Sequence, residues 1–281
     1  MTSGTGASVR RVGNPELPSF DLVVATVGRT DELARLFESL DRQTHRGFRV
    51  LLVDQNRDEG VARFLRPGVE RLRSAPGLSR ARNVALPLVR ADLVAFPDDD
   101  CVYPDDLLER VARRFAAQPQ LDGLTGRDDS QARWANDGVV LTRENLWNRA
   151  ISFTIFLRSA VAAGVGEFDE RLGLPESSAE EIDYLVRAID AGARIEYDPS
   201  LVVLHRPTQR RLVELGARDG ASIGYILRKH GYPPRSIARM LLRPAGGALL
   251  AMLRNDRPRA RFHLATLRGR ALGYAREAPT A

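Results

Sequence analysis

Leu93-Val94-Ala95-Phe96-Pro97-Asp98-Asp99-Asp100-Cys101-Val102-Tyr103-Pro104 is the stretch that decides how this chain is read. A short apolar run ends by releasing three consecutive carboxylates, and a helix start follows at Asp105 and Asp106. Unpaired neighbouring carboxylates repel, so such a cluster is relaxed only where a cation or a ring of donors meets it. Hard divalent cations take carboxylate oxygens, and Mg²⁺ is usually shared between one or two carboxylates and a substrate's phosphates. Taken alone, the triplet has two readings: a cation site, or an acidic turn in water ahead of a helix.

Upstream, residues 21–26 form an apolar strand that ends at a Gly28 loop, and Thr30 is placed to cap a helix with Leu33, Leu36, Phe37 and Leu40 on one face. A second strand over 48–53 ends at Asp54, and a short third one is expected over 69–73. Pro76-Gly77-Leu78-Ser79 reads as a turn whose serine caps a helix to about Val89. The strand over 92–96 then delivers the triplet, and an amphipathic helix covers 105–117. Such alternation with short connections implies an α/β fold with a mainly parallel sheet and helices on both faces. Ligands of these sheets bind at the carboxyl ends of the strands. Thr26, Asp54 and Asp98 to Asp100 stand at those ends, so they are expected to converge on one cleft.

Beyond residue 118 the alternation weakens. Strands are expected over 121–125, 151–157 and 201–204, a polar region over 126–148 holding Trp134 and Trp147, and a helix over 178–191. From about Gln209 the pattern is helical, with breaks expected at Pro233-Pro234, at Pro244 and near Pro258. The domain reading is a flexible leader over 1–19, a catalytic domain over 20–206 and a basic helical extension over 207–281.

A chain of 281 residues, 43% of them hydrophobic, suits one large α/β domain with a helical appendage. No stretch approaches the ~20 apolar residues of a membrane span, and the Gly-, Ser- and Pro-containing leader lacks the apolar core of a signal peptide. The single cysteine, Cys101, excludes an internal disulfide framework and a multi-cysteine zinc site. A cytoplasmic, reducing location is expected. Residues 206–281 hold 16 of the 42 basic residues but 4 of the 36 acidic ones, which leaves an acidic body and a strongly basic tail.

Five segments carry a resemblance. Leu22-Val-Val-Ala-Thr-Val-Gly-Arg29, Leu51-Leu-Val-Asp-Gln-Asn56, Gly77-Leu-Ser-Arg-Ala-Arg-Asn83, Ala95 to Pro104, and Ala179-Glu-Glu-Ile-Asp-Tyr-Leu-Val-Arg187 with Tyr197-Asp-Pro-Ser200 and His205 resemble family 2 glycosyltransferases of the GT-A fold. The resemblance spans about residues 20–206. It implies inverting transfer of a sugar from a nucleotide diphosphate donor, assisted by Mg²⁺ or Mn²⁺. The donor it implies is a UDP-sugar first, with dTDP- and GDP-sugars behind, and the acceptor a carbohydrate or a lipid-linked glycan in polysaccharide, glycolipid or other glycoconjugate synthesis.

By the same resemblance, Thr26 and Asp54 hold the nucleobase, Arg29 lines the nucleotide and Arg82 rests by the diphosphate. Asp98 serves ribose and metal surroundings, Asp99 borders the nucleotide sugar, Asp100 takes the metal, and His205 reaches the metal or the diphosphate. Glu181 stands where the family usually has an Asp base, with Asp183 close by. Plainer readings stay open beside these. Ser178-x-x-Glu181 is also a capping box, Asp183 and Arg187 are also an i,i+4 pair, and His205 is also a strand-end histidine. A non-catalytic nucleotide-sugar-binding or scaffold protein is the rival reading of the whole. A sugar-1-phosphate nucleotidyltransferase is disfavoured, because Val27-Gly-Arg-Thr30 is too short for its phosphate loop. In the tail, Leu241-Leu242, Leu249-Leu250 and Met252-Leu253 among arginines suit an anionic membrane surface. Plain packing with solvated arginines is the alternative, and nucleic acid is disfavoured because no recognition motif accompanies the charge.

Overall fold

Alternating side chains of the strand Phe20–Thr26 (β1) divide the interior into two layers. Phe20, Leu22 and Val24 enter one core with Leu33, Leu36, Phe37 and Leu40 of the helix Thr30–Asp41 (α1) and with Leu107, Leu108, Val111 and Phe115 of the helix Leu107–Ala117 (α3). Val23 enters the other with Ala81 and Ala85 of the helix Leu78–Ala85 (α2) and with Ile182, Tyr184 and Leu185 of the helix Glu180–Asp190 (α5). Each large side chain so buried contributes roughly 1.5–3 kcal/mol. A computed structural model describes residues 17–130, 134–173, 177–205 and 212–275. Residues 1–16 of the expected leader and the expected boundary at 206–207 lie outside the described residues.

The strands β1, Phe48–Asp54 (β2), Val69–Arg73 (β3) and Leu93–Ala95 (β4) form a parallel half-sheet in the order β3-β2-β1-β4. Chain order reverses at β1, which places a crevice outside the ends of β1 and β4. Asp98 continues the β4 side of that crevice through a parallel bridge to Ala25. The other half is mixed: Phe156–Arg158 (β8) runs antiparallel to β4 and to Gly123–Asp128 (β6). β6 is parallel to Ile195–His205 (β9), which also carries Cys101–Val102 (β5) and Val139–Val140 (β7) as antiparallel partners.

Several local expectations change. Residues 151–157 are a 3-10 turn over Ser152–Thr154 followed by β8, so this strand enters the sheet reversed, without a crossover helix. Thr30 is the first helical residue after Arg29, and α2 begins after Gly77 with Ser79 donating to the Leu172 carbonyl instead of capping. The Ser178 capping box does not form, because the Ser178 hydroxyl donates to Asp219 at 2.8 Å. A short helix, Ser159–Val165 (α4), lies beside α5, where Tyr184 donates to the Ala162 carbonyl.

Three helices complete the chain: Leu212–Lys229 (α6), Pro234–Leu253 (α7) and Arg257–Ala275 (α8). α6 and α8 meet along glycines. A Cβ on Gly224 would stand 2.1 Å from the Arg270 carbonyl oxygen, and one on Gly273 1.9 Å from that of Ala221. Only glycine permits that approach. The break expected at Pro244 is absent. Proline removes the N–H that would bond Met240 O, and Arg270 of α8 donates to that freed carbonyl, so α7 runs on. α7 is also long and apolar enough to cross a membrane by length and composition, with mean hydropathy 1.2, which corrects the expectation that no segment reaches that length. Its charges, Arg235, Arg239 and Arg243, crowd the first half and leave 244–253 uncharged.

Candidate active site

A cleft of about 530 Å³ opens at the carboxyl ends of β1 and β4, well within the usual range for small-molecule sites. Ala25, Val27, Arg29 and Gln55 form one side, Asp98, Asp99, Asp100, Ser152 and His205 the floor, and Ala179, Glu180 and Glu181 the far wall. Leu215 and Arg218 of α6 reach the same cleft. A second depression of about 480 Å³ lies by β7 and β9, but its charges are already matched, with Glu196 accepting from Arg114 at 2.9 Å and Arg194 at 2.7 Å.

Asp98, Asp100 and His205 each offer one ligand atom, all within 4.8 Å of one another. β5 pairing with β9 sets this up, since Cys101 faces His205 across the ladder. His205 Nε2 lies 3.2 Å from Asp100 Oδ1, and its ring stacks on Phe153 at 4.6 Å. Burial lowers the proton affinity of His205, but the Asp100 carboxylate outweighs this and raises it. Arg29 donates to Asp99 at 3.1 Å and to Asp100 at 2.7 Å. Burial works against ionised Asp100, yet His205 and Arg29 hold its pKa below the usual carboxylate range.

The remaining carboxylates are not so well met. Burial pushes Asp98 up to about 6 against the pull of Arg82, and the charges of Asp100 and Glu180 add to the rise. Asp99 is likewise pushed to about 6 by burial, with Arg29 and Thr26 opposing. Glu181, half-buried, pairs with no other side chain among the described residues; burial and then Glu180 raise it to about 8. Two carboxylates and an imidazole amid surplus negative charge form a donor set that fits Mg²⁺ or Mn²⁺.

Four expected site residues stand elsewhere. Thr26 and Asp54 are register partners in β1 and β2 and neither lines the cleft, where strand alternation presents Ala25, Val27 and Gln55 instead. Asp54 is fully buried, accepting from the Asn56 N–H at 2.9 Å and from Arg71 at 2.6 Å, with Arg73 2.9 Å away. Arg82, 2% exposed, lies behind the cleft under Phe96 and Phe168, donating to Glu180 at 2.8 Å and Asp98 at 3.2 Å. It holds two carboxylates in place and is not among the residues that line the cleft. Asp183 points to the other side of α5, where Lys229 (2.7 Å), His230 (2.8 Å) and Arg187 (3.1 Å) surround it. Burial would raise Asp183, but the hydrogen bonds from His230 and Lys229 and the nearby cations hold it at about 2.

Some cleft residues escaped the sequence reading. Gln55 was one alternation step from Asp54; its carbonyl accepts from the Gly77 N–H at 2.7 Å. Ser152, whose hydroxyl is 3.2 Å from Asp98, hides in a 3-10 turn. Leu215 and Arg218 carry no local signal at all, because helix docking alone brings them in. Trp134 donates to Asp128, and Trp147 packs on Tyr232; neither lines the cleft.

Residues 21–165 match the family model described as glycosyl transferase family 2. Two curated relatives, the pre-mycofactocin glycosyltransferases of Mycobacterium tuberculosis strains CDC 1551 / Oshkosh and H37Rv, are each 27% identical over 277 residues, covering 90% of this chain and 56% of the relative. The chain therefore spans about half the length of the curated relatives it matches. Among solved structures, the mannosyltransferase PcManGT from Pyrobaculum calidifontis in complex with GDP-Man and Mn2+ superposes with a TM-score of 0.70 at 16% identity, covering 92% of this chain and 88% of that one. S. aureus TarS 1-349 in complex with UDP-GlcNAc gives 0.59 at 17% identity, covering 90% of each chain. The shared architecture is the GT-A fold, a Rossmann-like α/β sheet with a helical region at the C-terminal end.

Proposed function

The chain belongs to glycosyl transferase family 2, and from that premise we propose that its cleft moves a sugar from a nucleotide diphosphate donor to an acceptor hydroxyl, with inversion and with Mg²⁺ or Mn²⁺. One observation carries the reading: a three-ligand cation group and Glu181, a carboxylate with no side-chain partner among the described residues, face the same cleft. Asp98, Asp100 and His205 would hold the ion, which when bound supplies positive charge to the departing diphosphate. Arg29, already fixed on Asp99 and Asp100, adds a second cation on the same side. Val27, Gln55 and Gly77 border the nucleotide end, where the Gln55 amide N–H groups remain to meet a base.

Glu181 takes the proton of the acceptor hydroxyl as that oxygen attacks the anomeric carbon. A base works best when its proton affinity lies near the working pH, and burial beside Glu180 brings Glu181 to about 8. Arg82 and Glu180 form the rigid backing that aims Asp98 and α5. Asp54, Thr26 and Asp183 act as buried supports and touch no substrate. The donor is a UDP-sugar first, with GDP- or dTDP-sugars next; the neighbouring structures in complex with UDP-GlcNAc and GDP-Man support that range. The acceptor is a carbohydrate or a lipid-linked glycan, and the reaction is placed in the cytoplasm, in keeping with a lone buried Cys101.

Thermal-shift titration with nucleotide diphosphates, with and without Mn²⁺, tests the reading, since a ligand that binds only the native state raises its apparent stability. The expected result is a shift that needs both nucleotide and metal and vanishes in Asp100→Ala. No metal-dependent shift with any nucleotide would overturn it. Equal donor hydrolysis by wild type, Asp100→Ala and Glu181→Gln would instead favour a non-catalytic nucleotide-sugar binder.

A further inference from the structure

Helix α7 is packed the wrong way round for water. Its buried positions are the small Pro244, Ala248 and Ala251, against α8. Ile237 and Met240 near its start pack on the core, but further along large apolar side chains point outward: Leu242 is 69% exposed, Leu249 61% and Leu253 76%. These lie at i, i+7 and i+11, a single helix face, and Leu250 and Met252 widen it towards the C-terminal end. α7 then turns through Asn255, at φ 54°, into α8, and the exposed Arg254, Arg257, Arg259 and Arg261 follow at once.

Charge at this hairpin is one-sided. Residues 234–275 contain nine arginines and one acid, Asp256, whose carboxylate is engaged by the Arg259 N–H at 3.1 Å. Among the described residues none of the nine forms an ion pair with a carboxylate. Further back, Arg270 is largely buried beside Arg243 with no acid, and its Nε has no partner. An apolar face ringed by unpaired cations fits one kind of surface, a bilayer with anionic headgroups, where leucines enter the acyl boundary and arginines meet phosphates. A second copy would set arginine against arginine, and nucleic acid would leave the leucines in water.

We propose that the α7–α8 hairpin docks the enzyme in the plane of an anionic membrane, with Leu249, Leu250 and Leu253 inserted and Arg254, Arg257 and Arg259 on the headgroups. The proposal is independent of the reaction assigned to the cleft.

Co-sedimentation of the full chain with phosphatidylcholine vesicles, with and without 30% phosphatidylglycerol, tests it. Binding is expected only with the anionic lipid, weakening at high salt and released by an alkaline carbonate wash. Leu249→Glu with Leu253→Glu lowers partitioning about 100-fold, and each Arg→Ala among Arg254, Arg257 and Arg259 lowers it about fivefold. Both leucines are solvent-facing, so the double variant keeps the wild-type melting temperature and donor turnover in solution. Three outcomes overturn the proposal: no binding to anionic vesicles, retention after the carbonate wash, or a concentration-dependent dimer that the double variant abolishes.

Discussion

Glu181 and Asp183 sit two residues apart on one helix, and their surroundings drive them in opposite directions. Glu181 faces the cleft beside Glu180 with no partner among the described residues and rises to about 8. Asp183 faces α6, gathers Lys229, His230 and Arg187, and falls to about 2. The same contrast separates Asp98 from Asp54: burial pushes the first up inside an acidic cleft, while the Asn56 N–H, Arg71 and Arg73 hold the second down against its burial. Carboxylates whose charge is met hold the fold together. Those whose charge is left unmet are held ready for something that binds, and strongly shifted groups in a cleft are functional candidates for that reason.

The largest effect expected on this contrast comes from Asp100→Ala. Donor turnover falls about 10⁴-fold, as does wild-type turnover after chelation, while the melting temperature without metal falls modestly, because Arg29 and His205 lose the carboxylate that they hold ionised. Glu181→Gln follows, with about 10³-fold lower turnover, unchanged nucleotide affinity by calorimetry and no loss of stability. A melting temperature that fell with Glu181→Gln would break the comparison, since it would make that unmet carboxylate structural.

Asp183→Asn is the mirror image. Removing one member of a buried ion-pair group costs on the order of 3 kcal/mol, seen in urea melts, with far less effect on turnover per folded molecule. The pH dependence has a definite sign. The folded pKa of about 2 lies below the ordinary 3.8, so the contribution of Asp183 is fully present above about pH 4 and is lost as pH falls through 2. Wild type therefore loses stability relative to Asp183→Asn between pH 4 and 2. Parallel pH curves for the two proteins would remove Asp183 from the stability side of the contrast.

How much of this was legible in the sequence follows from which interactions are local. β1, β2, α1 and α3 were readable because apolar periodicity and burial coincide in them. Strand ends of such sheets share a crevice, which brings in the acidic triplet, but only the family resemblance adds His205 to Asp98 and Asp100; it arrives by pairing with the strand that follows the triplet. Facing was harder to read. Asp54 and Gln55 differ by one step of strand alternation, and Glu181 and Asp183 by about 200° around a helix. No pattern in the sequence reveals that Lys229 and His230, far along the chain, wait for Asp183. Pro244 misled for a related reason, since the Arg270 guanidinium that mends its gap comes from another helix.

The smallest effect concerns what holds the two carboxylates apart. Ala179, immediately before Glu180, has φ 65°, the left-handed region that a residue with a Cβ occupies at a cost of about 1 kcal/mol. This residue lines the cleft and sets the angle at which α5 leaves it. Ala179→Gly removes the strain without adding a contact, so stability should rise by about 0.5–1 kcal/mol. The same change frees the start of α5 to shift, and Glu181 loses its fixed aim while Asp183, on the opposite side of the same turn and tied to Lys229 and His230, does not. Turnover should then drop several-fold with donor affinity intact, because misplacing a base affects the chemical step more than binding. Higher stability with full turnover would mean that Asp183 and its partners alone fix the helix, and that the left-handed turn at Ala179 contributes nothing to the separation of the two carboxylates.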